Sequence, residues 1–228
     1  LCKLMDNTYR DVIFSYSNQI SFLAEKLNLN LPELIDKINL SYNRNFIPKP
    51  SPGVGGPCLT KDPYILESTF KKFKLKPLIT KSARDINNYS ISNLHLRLKQ
   101  YLKLNKLKPN KVKIFLSGFA FKGNPATSDI RGSTAIDFLK KLQDGSIKKI
   151  YGHDFLLTNQ EISKLNVNPV TFENGLKNAD VIIIFNNHKS YLEFNVKKLL
   201  LKSNKPCLFF DSWQIFKESN LQRLPGIT

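Results

Sequence analysis

At Lys111 the hydrophobic period of this chain changes, and that change limits what it can fold into. Upstream, apolar residues recur at helical spacing. Ile13, Ile20, Leu23 and Leu27 mark one helix over 3–27, and Leu94, Leu98 and Leu102 mark a long one over 78–104. Pro32 suits a first-turn position, so a second helix is expected to start there. The proline- and glycine-rich stretch 48–57 must be a loop. Downstream, short apolar runs at 112–117, 148–152, 181–185 and 207–210 alternate with segments of helical character at 131–143, 159–164, 173–178 and 191–201. Such alternation predicts parallel strands joined by helices. Val181 to Phe185 reads as a central strand buried on both faces. The fold class expected is α/β: a helical domain over 1–107, then a Rossmann-like parallel domain over 108–228.

The chain has 228 residues, enough for two modest domains with their own cores. It opens on Leu1, not Met, so the natural protein is expected to begin further upstream. Net charge is +17, from 35 basic and 18 acidic residues, which raises nucleic-acid binding as one interpretation. The lysines are spread over 71–76, 99–113 and 197–205 and form no recognised nucleic-acid motif, so no such partner is expected. Solvated lysines explain the charge, and a basic surface also suits a diphosphate ligand. Three cysteines (2, 58, 207) and three histidines (95, 153, 188) show no metal-ligand spacing, and no metal is expected. An odd, sparse cysteine count fits a reducing cytoplasm. No apolar run reaches the roughly 20 residues of a membrane span, and no membrane partner is expected.

The stretch richest in chemistry is Pro52-Gly53-Val54-Gly55-Gly56-Pro57-Cys58-Leu59-Thr60-Lys61-Asp62-Pro63. A thiol follows a flexible loop and stands just ahead of an expected helix start, with Asp62 as N-cap and Pro63 as first helical residue. A helix N-terminus and the charge of Lys61 both favour a thiolate there. The glycines remove side chains beside the sulfur, so a bulky substrate can come close. A buried structural cysteine after a turn is the competing reading. Lys3 and Asn7 are four apart and share a helical face, where they can converge on one ligand atom or remain an ordinary exposed pair. No Gly-x-Gly-x-x-Gly follows a strand; in the 53–56 run the third glycine of that fingerprint would fall on Leu59. Gly118 and Gly123 have P-loop spacing, but Asn124-Pro125 stands where Lys-Ser/Thr is needed.

The run around Cys58 resembles the active-site motif of the UDP-glucose/GDP-mannose dehydrogenase family, whose core is Gly-x-Gly-Gly-x-Cys-x-x-Lys-Asp. Val54 and Asp62-Pro63 look most like the branch that oxidises UDP-N-acetylhexosamines. Residues 3–11 resemble the opening of the family's central helix, 83–87 (Ala-Arg-Asp-Ile-Asn) a later helix, and 118–133 the signature of its C-terminal domain. The four matches come in the family's order and cover nearly the whole chain.

That resemblance implies the central and C-terminal parts of an NAD-dependent UDP-sugar 6-dehydrogenase, with the N-terminal NAD-binding domain missing. The helical part would form the core of a homodimer or higher homo-oligomer, and the α/β part would bind the UDP-sugar. The implied reaction takes a C6 alcohol to a uronate in two hydride transfers. Cys58 would carry the thiohemiacetal and thioester, Lys3 and Asn7 would stabilise charge on the C6 oxygen, and Asp62 would activate water. Arg44, Lys49, Gly53, Gly55, Phe121 and Lys122 would contact the substrate, and Lys61 and Arg131 the cofactor. Arg84 and Asn87 match a family helix too, and their spacing reads as structural. Phe210-Asp211-Ser212-Trp213 replaces the family's Asp-x-Arg-Asn, which makes Trp213 either a substitute contact or core. The alternatives are a UDP-glucose or GDP-mannose dehydrogenase on the same scaffold and, for the chain alone, a non-catalytic sugar-nucleotide-binding dimerisation module.

Overall fold

The computed structural model describes residues 1–40, 44–216, 221 and 224–228. Contacts divide the chain into two compact units, Leu1–Asn93 and Leu94–Thr228.

The first unit holds α1 (Cys2–Lys26), α2 (Leu31–Asn39), α3 (Asp62–Lys72) and the opening turns of α4 (Leu78–Leu104). α2 starts where Pro32 predicts, with the Asn30 side chain accepting the Glu33 amide. Ala24, Leu31 and Ile35 form a small apolar cluster, against which Ile20 and Ile47 pack. α1 turns a polar face inward. Leu23 and Leu27 are exposed, whereas Asn7, Asp11, Ser15 and Asn18 turn inward. The reason is that several of these polar groups find partners on α3, α4 and the loop before α3, and buried polar groups are tolerated where they are bonded.

The second unit is built on β1 (Lys113–Ser117), β2 (Lys149–His153), β3 (Asn168–Pro169), β4 (Val181–Ile184) and β5 (Leu208–Asp211). All neighbours pair in parallel, in the order β3-β2-β1-β4-β5. Every residue of β4 is buried, as its unbroken apolar run predicts. β3 has no apolar run to reveal it; two residues pair with Tyr151 and Gly152.

Helices connect these strands. α5 (Thr134–Gln143) begins later than the expected residue 131, because Ser133 caps it by accepting the Ala135 amide. α6 (Asn159–Ser163) and α7 (Phe172–Leu176) follow, each capped by a threonine. The segment expected as one helix over 191–201 is a 3₁₀ turn (Lys189–Glu193) and then α8 (Val196–Leu200). The Asn195 side chain accepts the Lys198 amide and so starts the second piece afresh. Phe115, Phe172, Leu176, Ile182, Ile184, Tyr191 and Leu200 form the core. Connections run from β1 to one side and then return to the other. The switch point, where parallel sheets place ligands, therefore lies past Ser117 and Ile184.

Candidate active site

Cys58 is half-buried, between the exposed Cys2 and the buried Cys207 in accessibility. Its carbonyl accepts the amides of Lys61 (3.0 Å) and Asp62 (2.8 Å), which ties it to the first turn of α3. Gly53 and Gly56 hold φ of +97° and +96°, a conformation strained for any side chain.

Asp62 is not the cap of α3. The cap is Lys61, without a side-chain bond, and Asp62 is the first helical residue. Its carboxylate turns to α1 instead, where Oδ2 accepts Asn7 Nδ2 at 2.6 Å and stands 3.8 Å from Lys3 Nζ. A charge-assisted bond to a fixed amide outweighs an exposed capping bond. Lys61 Nζ lies 4.0 Å from Oδ1. Lys3 and Asn7 do share a face, and that face meets Asp62, which is only 1% exposed. Arg10, which sequence reasoning missed, donates to Asn7 Oδ1 at 2.6 Å and thereby fixes which end of the amide faces Asp62. Its three-residue spacing from Asn7 was the available signal.

Lys49 is engaged by Asp36 of α2 at 2.8 Å. Arg44 sits on an exposed turn. Beneath the cysteine loop lies a buried network. Arg84 donates to Asp11 Oδ1 at 2.5 Å and to the Leu59 carbonyl at 3.1 Å. Asn87 donates to Asp11 and accepts from Asn18, whose own Oδ1 accepts the Ser51 amide at 2.8 Å. Burial pushes the Asp11 carboxyl upward, and Arg84 opposes the shift.

In the second unit, Phe121, Lys122 and Arg131 lie on the loop that leaves β1. The Phe121 amide donates to the Asp129 carbonyl, and Lys122 Nζ stands 5.3 Å from the Phe121 ring centre. Arg131 grips Asp129 through NH2 (2.7 Å) and Nε (3.0 Å), and these bonds hold that carboxyl below its usual range. Asn187, past β4, accepts the amides of Gly123 and Asn124, each at 3.1 Å. The backbones come so close that a Cβ on Gly123 would stand 2.1 Å from the His188 amide nitrogen. The two switch-point loops therefore hold each other, a pairing that no sequence spacing announces.

Trp213 donates its indole N–H to the Phe185 carbonyl at 2.7 Å. Asp211 accepts the amides of Phe216 and Trp213, while burial raises its pKa to about 6. A cavity of about 420 Å³ lined by His95, Lys99, Lys141, Asp144 and Ile147 lies at the amino-terminal side of the sheet and touches none of the expected site residues.

β1 ends at Ser117 and α5 starts at Thr134, so the short glycine-rich turn from first strand to first helix that cradles the pyrophosphate of NAD does not occur in this sheet. Among the described residues no group of His, Cys, Asp or Glu could hold a metal ion, and no helix is long and apolar enough to cross a membrane.

A helical unit carrying a thiol just after a glycine-rich loop is followed by a five-stranded parallel α/β sheet, the layout of a two-part α/β protein. Residues 1–89 match the central domain of the UDP-glucose/GDP-mannose dehydrogenase family and residues 115–218 its UDP binding domain. The chain belongs to that family. It is 32% identical over 219 residues to a UDP-N-acetyl-D-mannosamine dehydrogenase of Pyrococcus horikoshii, a match covering 96% of this chain and 48% of the relative. A counterpart in Methanocaldococcus jannaschii is 30% identical, covering 94% and 48%. A solved UDP-D-ManNAc dehydrogenase structure from Pyrococcus horikoshii superposes with a TM-score of 0.82 at 28% identity, covering 98% of this chain and 50% of that one. The chain spans about half the length of the curated relatives it matches.

Proposed function

We propose that this chain forms the thiol-bearing and UDP-sugar-binding parts of an NAD-dependent dehydrogenase that converts the C6 alcohol of a UDP-N-acetylhexosamine to a uronate. The observation that carries the reading is the tie between Cys58 and α3, which sets the cysteine one turn from the Asp62–Asn7–Lys3 cluster.

The sulfur of Cys58 adds to the C6 aldehyde carbon while the carbonyl oxygen takes a proton, giving a thiohemiacetal that cannot diffuse away. The ammonium of Lys3 and the amide of Asn7 stabilise charge on that oxygen. After the second oxidation the same carbon is a thioester. Water, activated by Asp62, then cleaves it, releasing the carboxylate and restoring the thiol. NAD is the hydride acceptor that the family implies, and it would be held mainly outside the two units, with Lys61 and Arg131 as contacts. Phe121 and Lys122 would meet the sugar nucleotide from the α/β unit, with Lys122 as a point charge near a phosphate. Arg44, Lys49, Gly53 and Gly55 would complete the substrate contacts.

A homodimer is part of the proposal. Met5, Tyr9, Tyr16 and Leu23 are exposed on one stripe of α1, opposite its buried polar face, and such a stripe suits a helix–helix seam. The three cysteines are all free, in keeping with a cytoplasmic enzyme.

Replacing Cys58 with Ser in the intact protein is expected to abolish uronate formation from UDP-N-acetylmannosamine, measured by mass spectrometry. Undiminished turnover would overturn the mechanism. Faster turnover of UDP-glucose or GDP-mannose in the same assay would move the substrate to the other branch. The missing dinucleotide turn favours a second reading for the 228 residues alone, a binding and dimerisation module. That reading expects thermal stabilisation by UDP-sugars without turnover.

A further inference from the structure

We propose that Asp11 and Arg84 are positioning residues for Cys58, an inference that rests on the function proposed above. Their side chains are 0% and 3% exposed, and they form an ion pair in the interior of the helical unit. A buried pair of this kind contributes little net stability, because the desolvation of both charges offsets their attraction. Its value lies in what else the guanidinium reaches. Arg84 NH1 serves Asp11 and the Leu59 carbonyl together, while NH2 donates to Asn88 at 2.8 Å. Leu59 is the residue after Cys58, so the pair fixes the cysteine loop on its C-terminal side.

The N-terminal side is fixed through the same carboxylate. Asp11 holds Asn87, Asn87 holds Asn18, and Asn18 holds the Ser51 amide. The loop from Ser51 to Leu59 is thus held at both ends by one chain of side chains centred on Asp11. Between those anchors Gly53 and Gly56 take left-handed conformations that only glycine adopts without strain. Lysine at position 84 would keep the charge but could not supply the planar fork that spans Asp11, Leu59 and Asn88.

The three cysteines supply the test. Iodoacetamide labelling, resolved by peptide mass spectrometry, follows Cys58 beside Cys2 as an exposed reference and Cys207 as a buried one. In Arg84→Lys, a loosened loop is expected to expose the half-buried thiol. Cys58 should then label at least about fivefold faster, with Cys2, Cys207 and helical circular dichroism unchanged. In the intact protein the same variant is expected to lose about tenfold or more in kcat, with KM for the sugar nucleotide within twofold. Faster labelling with slower turnover is what a positioning role requires and a general loss of folding would not give.

Should Arg84→Lys fail to fold, Asn88→Ala removes an exposed partner of the guanidinium and is expected to raise Cys58 labelling two- to threefold. A Cys58 rate equal to wild type in folded Arg84→Lys, or in Asn88→Ala where the lysine variant is lost, overturns the proposal. If Cys58→Ser abolishes turnover while folded Arg84→Lys turns over normally, this inference alone falls. If Cys58→Ser remains active, the proposed function falls first.

Discussion

The two units of this chain bury opposite kinds of side chain. Among the described residues, the helical unit buries more polar and charged groups than apolar ones, including Asn7, Asp11, Asn18, Asp62, Arg84 and Asn87. The α/β unit is the reverse, with Phe115, Phe119, Phe138, Ile182 and Leu200 among its fully enclosed residues. Apolar burial is non-directional and supplies stability, whereas buried polar groups demand specific partners and so supply geometry. The sheet thus has the makings of a stable platform. The helical unit spends its interior on holding one loop and one carboxylate in place.

If that contrast is right, the largest stability loss comes from the apolar side. Phe115 lies in β1, fully buried against Phe172. Phe115→Ala is expected to cost about 3–5 kcal/mol, the range for emptying a large core site. Urea unfolding followed by the fluorescence of Trp213, the only tryptophan, reads this unit directly. A loss below about 1 kcal/mol would mean that the sheet does not depend on its apolar core as described.

A smaller effect is expected from the outward stripe of α1. Leu23 is 55% exposed, so Leu23→Glu should leave the stability of the single chain nearly unchanged. At a helix–helix seam the same change should weaken self-association by about 2–3 kcal/mol, roughly 30- to 150-fold in dissociation constant. Sedimentation equilibrium measures this. Unchanged association would remove α1 as the dimer seam and leave the outward stripe without a partner.

The contrast also explains what the sequence could reveal. α4 was legible end to end, and β4 was legible because four apolar residues in a row need burial on both sides. Apolar pattern reports solvent contact averaged over an element, and it serves the α/β unit well. On α1 it marks the helix but not its inward face, since Leu23 and Leu27 are exposed. The true inward face is set by bonds to partners 55 to 76 positions away, such as Asn7 to Asp62 and Asp11 to Asn87. Local capping rules likewise misplaced Asp62, whose strongest partner is distant in sequence. Among the candidate site residues, Cys58, Lys3 and Asn7 stood out through motif and spacing. Arg10 could have been found from its three-residue spacing to Asn7, whereas Asn18, Asn187 and the bracing role of Arg84 emerge only once the chain is folded.

The smallest expected effect concerns how each unit accommodates a carboxyl out of water. Asp11 faces a guanidinium, whereas Asp211 in the α/β unit relies on backbone amides, chiefly those of Phe216 and Trp213. Burial raises the Asp211 pKa to about 6 from an unfolded value of 3.8. Between these values the folded chain binds the proton more readily than the unfolded one. The contribution to stability is therefore full below about pH 4 and is lost as pH rises through 6. Relative to Asp211→Asn, which does not titrate, the wild type should gain about 1–2 kcal/mol between pH 7 and pH 4.5. Urea titrations of both proteins at several pH values, read by Trp213 fluorescence, give the difference directly. A difference that stays flat, or that falls on acidification, would mean that the backbone amides hold Asp211 ionised against the cost of its burial.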